Sequence, residues 1–243
     1  MKHFGLIGKS LQHSFSKEYF EAKFKKLDLT DHQYDLYELR DIDVFPLLIG
    51  HERLSGLNVT IPFKESIIPF LDKLSDEAKE IGAVNTVVFD KGLLIGHNTD
   101  AIGFSRSIRP FLAMHHERAL ILGTGGAAKA VHYSLTKLGI NCLYVSRSPK
   151  NAQEINYAEL RAEGIKHWPL IVNCTPLGTY PNVDKAPEIP YEGIGEQHFC
   201  VDLVYNPEKT KFLSNCEKNG AMILNGKDML HFQAEAAWEL WNA

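Results

Sequence analysis

The sequence predicts an α/β protein built as two successive α/β units, the second a nucleotide-binding layer, and three observations carry that expectation. Strand-length apolar runs alternate with helical patterns along most of the chain, which is the signature of βα units on a mostly parallel sheet. The turn Gly123-Thr124-Gly125-Gly126-Ala127-Ala128 stands between an apolar run and a helical pattern. The first alternation closes near Asp100, and a second opens after it.

In chain order, the spacing predicts a strand over 4–7, a helix over 17–27, a strand over 33–38, a helix over 44–49 and a strand over 57–60. A helix over 75–81 begins at Ser75, whose hydroxyl suits an N-cap, and strands over 84–89 and 93–95 form a hairpin about Lys91-Gly92. A helix over 101–114 leads to the second unit: strand 117–122, helix 128–138, strand 141–146, strands over 170–173 and 199–203, and helices over 210–219 and 227–241. In the last helix Met229, Leu230, Gln233, Ala236, Ala237 and Leu240 follow the period of an amphipathic face. That face needs a partner, and packing back on the first unit would carry Gln233 toward a cleft between the two.

A chain of 243 residues holds one large or two modest domains, and 44% hydrophobic with 23% charged residues describes an ordinary soluble globular protein. The net charge of −4 offers no basic excess for nucleic acid or an anionic membrane. Cys142, Cys174, Cys200 and Cys216 include no C-x-x-C pair, so they are expected as reduced thiols with no metal site. The opening Met1-Lys2-His3-Phe4-Gly5-Leu6-Ile7-Gly8 is strand-like rather than a signal peptide, and no run reaches membrane-spanning length. A cytoplasmic protein is expected.

The glycine-rich turn has the G-x-G-x-x-A form of a dinucleotide fingerprint in the right context. Gly123 allows the tight turn, Gly125 lets the backbone approach a pyrophosphate, Ala128 permits close helix packing, and the amides of Gly126 and Ala127 open a helix whose dipole favours an anion. The alternative is a merely tight strand–helix connection. At the end of the next strand, where an NAD site usually carries an acid, stands Ser146-Arg147-Ser148-Pro149-Lys150. The Arg147 guanidinium, the hydroxyls of Ser146 and Ser148 and the Lys150 ammonium suit a 2′-phosphate, so NADP is the expected cofactor; an exposed basic turn is the plain alternative.

The run Asn58-Val59-Thr60-Ile61-Pro62-Phe63-Lys64 sets two small hydrogen-bonding side chains and an ammonium around a stiff turn, and Asn85-Thr86 with Asn98-Thr99-Asp100 adds amides and a carboxylate. Lys64 and Asp100 are the pair for proton transfer, because burial can lower a lysine's pKa while a carboxylate orients it. A surface lysine and an N-cap aspartate compete with that reading. In Gln12-His13-Ser14-Phe15-Ser16, the hydroxyls of Ser14 and Ser16 can bind a carboxylate, or Ser16 can be only a cap; His13 receives no role.

These segments, with Gly82-Ala83-Val84, Tyr205-Asn206-Pro207 and Asn225-Gly226-Lys227-Asp228-Met229-Leu230, together resemble the shikimate dehydrogenase family nearly from end to end. The resemblance implies two α/β domains flanking a cleft: 1–100, with the C-terminal helix 227–243 packed back on it, as substrate-binding domain, and 101–226 as a Rossmann-type doubly wound parallel sheet for NADP. It implies reversible reduction of 3-dehydroshikimate to shikimate by NADPH, on the route to chorismate and the aromatic amino acids. Ser14 and Ser16 would then hold the substrate carboxylate, Asn58, Thr60, Asn85, Asp100, Tyr205 and Gln233 would surround the ring, and Lys64 would be the acid/base. Asp76, Thr175, Leu203 and Gly226 fall on the nicotinamide side. Three departures stand out: Ser-Arg-Ser replaces the family's Asn-Arg-Thr, Leu203 replaces a common methionine, and the segment between Lys150 and Leu170 is short, which implies a trimmed second domain. The other readings are an NAD-using quinate/shikimate dehydrogenase and a non-catalytic cofactor-binding sensor. A monomer or homodimer is expected.

Overall fold

The computed structural model describes every residue except His13 and Glu52; the serine-loop imidazole His13, which received no role, lies outside the described residues. The chain folds as two compact units, Met1–Thr99 together with Ala234–Ala243, and Asp100–Gln233.

The first unit comprises β1 (Lys2–Gly8), α1 (Phe15–Lys26), β2 (His32–Glu38), α2 (Phe45–His51), β3 (Gly56–Val59), β4 (Lys73–Leu74), α3 (Asp76–Ile81), β5 (Thr86–Asp90) and β6 (Leu93–His97). Its sheet runs β2-β1-β3-β5-β6-β4. β1 lies parallel to both β2 and β3, while β5 is antiparallel to β3 and β6. The β5–β6 hairpin turns at Lys91 and Gly92 with φ of 50° and 82°, the paired left-handed geometry that matches strand twist. Phe20 and Phe24 of α1 pack with Phe4, Tyr34, Ala234, Ala237 and Trp241, and Phe45, Ile67 and Ala78 pack with Ile7, Leu57 and Val87 in a second cluster. The Trp241 indole donates to Val87 O at 3.1 Å and fills the space where a side chain at Gly56 would lie. Glu235 accepts from the Tyr19 hydroxyl and from Lys23 Nζ, at 2.6 and 2.8 Å to the ammonium, tying the chain's last turns to α1.

The second unit comprises α4 (Asp100–Ile108), β7 (Arg118–Leu122), α5 (Gly126–Lys137), β8 (Asn141–Ser146), β9 (Glu154–Asn156), α6 (Ala162–Ile165), β10 (Leu170–Asn173), β11 (Phe199–Asp202), α7 (Lys211–Lys218), β12 (Met222–Leu224) and the start of α8 (Lys227–Trp241). All strand pairs are parallel, in the order β12-β11-β10-β7-β8-β9. Counted from β7, that is the 3-2-1-4-5-6 order of a Rossmann sheet. β10 and β11 are buried at every position, as expected of strands covered on both faces. Phe104 and Ile108 of α4 and Ala128, Val131 and Leu135 of α5 cover one side, and Phe212, Leu213 and Cys216 of α7 pack in the cluster of the other.

Two expectations are corrected. The helix over 101–114 ends at Ile108 and passes into a single 3₁₀ turn, Arg109–Phe111, because Pro110 cannot donate to the ladder. Ser14, not Ser16, caps α1: its Oγ accepts from the Ser16 amide at 3.3 Å. The short segment after Lys150 holds only the three-residue β9, a 3₁₀ turn and the one-turn α6; β4, β9 and β12 are too short to carry a periodic signal.

Candidate active site

Strand register gathers the polar segments of the first unit. β3 and β5 pair with Asn58 opposite Thr86, and just beyond the ladder the Val59 amide donates to Asn85 O at 2.8 Å. The chain then turns, with Phe63 N donating to Thr60 O at 2.9 Å, and Lys64 O accepts from the Val84 amide at 2.7 Å. Buried Phe63 anchors the turn in the apolar cluster below, while Thr60 and Lys64 remain half-buried above it. Asn58, Thr60, Lys64 and Asn85 therefore converge because β3 and β5 are neighbours, 28 residues apart in sequence at the Asn58–Thr86 contact.

The side chains form a buried network. Asn58 Nδ2 donates to Asn85 O and to Thr86 Oγ1, both at 3.3 Å, and Asn58 Oδ1 accepts from the Tyr34 hydroxyl at 2.8 Å. Both amide protons are thus committed, and the capacity left to Asn58 is one lone pair on Oδ1. A ligand hydroxyl meeting Asn58 must donate to it. Asn85 Oδ1 accepts from the Thr99 amide at 2.7 Å and from the hydroxyls of Thr86 and Thr99 at 3.1 Å, and its Nδ2 donates to Thr99 Oγ1 at 2.9 Å. This pins the residue from which the chain enters Asp100. The Ser14–Ser16 segment is shaped in turn by Glu38, whose Oε1 accepts from Leu11 N at 2.7 Å, and by the Ser14 amide donating to Leu11 O at 2.9 Å.

Asp100, Tyr205 and Gln233 belong to the second unit. Asp100 opens α4. Gly103 of α4 leaves no room for a side chain, since a Cβ there would stand 2.6 Å from Met229 O and 2.9 Å from Gln233 Cβ; close approach of α4 and α8 sets Gln233 beside the first turns of α4. Gln233 Nε2 donates to Leu230 O at 2.9 Å.

The dinucleotide candidates lie at the carboxyl ends of the second sheet. Gly123 has φ of 105°, a backbone that only glycine adopts without strain, and a Cβ there would stand 3.3 Å from Thr175 Cγ2. The Cys174 amide donates to Leu122 O at 3.0 Å, so the glycine loop and Thr175 adjoin at the point where strand order reverses, which is where Rossmann sheets take ligands. Gly125 is the N-cap of α5 with no side-chain cap bond, and space stands open before it. The amides of Gly126 and Ala127 follow, and Ala128 is wholly buried against the sheet. These features fit a dinucleotide. Arg147, Ser148 and Lys150 are exposed after β8, with Ser146 Oγ accepting from the Ser148 amide at 3.2 Å and Asn156 Nδ2 donating to Arg147 O at 3.1 Å. No acid stands at the end of β8 itself. Gly226 is pressed against Leu203, and its amide donates to Val204 O at 3.2 Å. Asp76 stands apart from the other cofactor candidates: it is exposed in the first turn of α3, in the first unit.

Asp202 was not singled out by the sequence. It lies opposite Asn173 across β10 and β11, wholly buried. Its Oδ1 accepts from Asn173 Nδ2 at 2.9 Å and from the Val204 amide at 3.0 Å, and its Oδ2 from Thr210 Oγ1 at 2.6 Å. Asn173 Oδ1 in turn accepts from the amide and hydroxyl of Thr175, at 3.0 and 2.6 Å. Desolvation pushes the Asp202 carboxyl up to about 6, against the pull of Thr210, Val204 and Asn173. Because the folded value exceeds the unfolded one, this group's contribution to stability declines as pH rises from about 4 through 6. Asp202→Asn removes that titration, so its unfolding free energy relative to the unsubstituted protein should move in its favour by up to about 3 kcal/mol between acid and mildly alkaline pH. Urea unfolding across that range checks this; a constant difference would mean that the carboxyl titrates normally.

Comparison with known proteins agrees with this geometry. A family model described as the shikimate dehydrogenase substrate binding domain matches residues 6–87. A protein of Carboxydothermus hydrogenoformans named shikimate dehydrogenase (NADP(+)) is 37% identical over 98% of this chain and 90% of its own length. This chain belongs to the shikimate dehydrogenase family. Among solved structures, shikimate dehydrogenase from Aquifex aeolicus is 34% identical with a TM-score of 0.89, covering 100% of this chain and 92% of that one. The shikimate 5-dehydrogenase of Thermus thermophilus, solved in complex with NADP(H) and shikimate, is 31% identical with a TM-score of 0.88, covering 99% and 93%. Among the described residues, no helix of this shikimate dehydrogenase family member is long and apolar enough to cross a membrane.

Proposed function

We propose that this chain catalyses the reversible NADPH-dependent reduction of 3-dehydroshikimate to shikimate, as a cytoplasmic step toward chorismate and the aromatic amino acids. Residues 1–100 with 227–243 act as the substrate-binding domain and 101–226 as the NADP-binding domain. The observation that supports the substrate side best is the pairing of β3 with β5, which gathers Asn58, Thr60, Lys64 and Asn85.

Ser14 and Ser16 take the substrate carboxylate, and Asn58, Thr60, Asn85, Tyr205 and Gln233 read the ring and its hydroxyls. Asn58 accepts from a hydroxyl, because its amide protons are spent inside the protein. Lys64 Nζ gives a proton to the carbonyl oxygen in reduction and takes it back in oxidation, with Asp100 orienting the ammonium and holding the hydroxyl. The loop Gly123, Gly125, Gly126, Ala127 and Ala128 cradles the pyrophosphate. Arg147, with Ser146, Ser148 and Lys150, holds the 2′-phosphate. Thr175, Leu203, Gly226 and Asp76 border the nicotinamide, which supplies the hydride when bound.

An assay by nicotinamide absorbance, with shikimate and quinate each offered NADP and NAD, tests this. Turnover of shikimate with NADP, far above the other three combinations, is expected. Preference for quinate or for NAD would select the broader dehydrogenase, and no turnover with any pair would select a binding protein.

A further inference from the structure

The second unit contains a buried carboxylate that the proposed mechanism does not use, and the hydrogen bonds beyond it have a fixed direction. Thr210, the wholly buried N-cap of α7, donates its hydroxyl to Asp202 Oδ2 at 2.6 Å. Asp202 Oδ1 accepts from the Val204 amide at 3.0 Å and from Asn173 Nδ2 at 2.9 Å. With its NH2 side facing that oxygen, Asn173 must turn its own oxygen the other way. There Asn173 Oδ1 takes both protons that Thr175 can give, from the amide at 3.0 Å and the hydroxyl at 2.6 Å. The Thr175 oxygen itself accepts from the Leu177 amide at 3.3 Å. What half-buried Thr175 has left for a ligand is one lone pair and no proton. The same carboxylate holds the loop after β11, because Val204, which donates to it, accepts from the Gly226 amide at 3.2 Å.

We propose that Asp202 is a positioning residue that, through Asn173, holds Thr175 Oγ1 as an acceptor for the carboxamide N–H of the nicotinamide. This rests on the reading that Thr175 borders the nicotinamide. A threonine hydroxyl free to rotate serves donors and acceptors alike and discriminates nothing. Once its proton is held by Asn173, the hydroxyl accommodates only a donor, and the carboxamide NH2 is the one N–H group that a nicotinamide carries. A carboxamide turned to present its oxygen would set two acceptors against each other, with neither satisfied. Thr175 therefore selects one of the two carboxamide orientations. The choice is made at a distance, since an Asn173 released by Asp202 could turn over, offer its NH2 to Thr175 and free the hydroxyl proton.

The test is calorimetric binding of NADP, of its 3-acetylpyridine analogue, in which a methyl group replaces the carboxamide NH2, and of adenosine 2′,5′-bisphosphate, which has no nicotinamide. The unsubstituted protein should prefer NADP to the analogue by about three- to tenfold, the worth of one neutral hydrogen bond. Thr175→Val, which keeps the bulk and loses the hydroxyl, should abolish the preference, and so should Asp202→Ala. Asp202→Asn should restore most of it, because its remaining oxygen can still accept from Asn173 and Val204 while its NH2 faces Thr210. Binding of adenosine 2′,5′-bisphosphate should be the same throughout. A preference lost in Thr175→Val but kept in Asp202→Ala would overturn the positioning role, as would an equal loss of all three ligands in Asp202→Ala, the mark of a merely structural carboxylate. A preference kept in Thr175→Val, or absent from the unsubstituted protein, would overturn the reading of Thr175 beneath it, and no binding of NADP at all would overturn the cofactor assignment. Should Asp202→Ala not fold, Asn173→Ala reads the same link and leaves Asp202 its bonds from Val204 and Thr210: loss of the preference supports the proposal, and retention refutes it.

Discussion

Lys64→Ala is expected to lower kcat by about two to four orders of magnitude, the usual contribution of a positioned acid/base, with a KM for shikimate within a few-fold of normal. The asymmetry follows from what the side chain supplies. On the proposed roles, proton transfer matters in the transition state, whereas binding of the ground state is shared among Ser14, Ser16, Asn58, Thr60 and Asn85. The backbone of Lys64 accepts from the Val84 amide at 2.7 Å, and alanine retains that bond. A variant with near-normal turnover would remove Lys64 from the mechanism, and a large rise in KM at unchanged kcat would recast it as a binding group.

The second large effect is expected at Arg147. Arg147→Ala should raise the KM for NADPH roughly ten- to a hundredfold, the range set by charge-assisted hydrogen bonds, and leave NADH almost untouched. The side chain is exposed after β8, and its backbone is held by Asn156, so the substitution removes a guanidinium without disturbing a core. Parallel measurement of both cofactors decides the matter, because only NADPH carries the 2′-phosphate. Equal losses would show that Arg147 does not read it.

Much of this was legible in the sequence, and the remainder has a common cause. Alternating apolar runs and the glycine turn announce the α/β units because they are local signals: a strand end, an αL turn, a helix start. The segments around Asn58, Asn85 and Asp100 could be named as polar clusters, but their convergence depends on β3 lying beside β5, which no local pattern states. The same holds for Tyr34 and Asp202. Tyr34 sits in a strand of mixed polarity, His32–Glu38, and only the sheet shows its hydroxyl meeting Asn58. Asp202 and Asn173 each end a run of buried apolar residues; a polar residue closing such a run was the available clue, and the register that opposes them supplied the meaning. The early end of α4 was readable and missed, since Pro110 stands inside the predicted helix.

The return of the chain's far end to the first unit has a consequence for biosynthesis. Phe4, Phe20 and Tyr34 close their cluster against Ala234, Ala237 and Trp241, so the unit that begins translation first cannot finish its core until residue 241 has been made. The second unit, continuous from Asp100 to Gln233, can consolidate earlier. The strands of the first unit's sheet are all made by His97, but the cluster of Phe4, Phe20 and Tyr34 lacks its α8 cover until that helix is made, an apolar surface open to chaperones. Tyr34, whose ring centre lies 6.4 Å from that of Trp241 and whose hydroxyl donates to Asn58 Oδ1, is packed in place only once the last turns of α8 have formed.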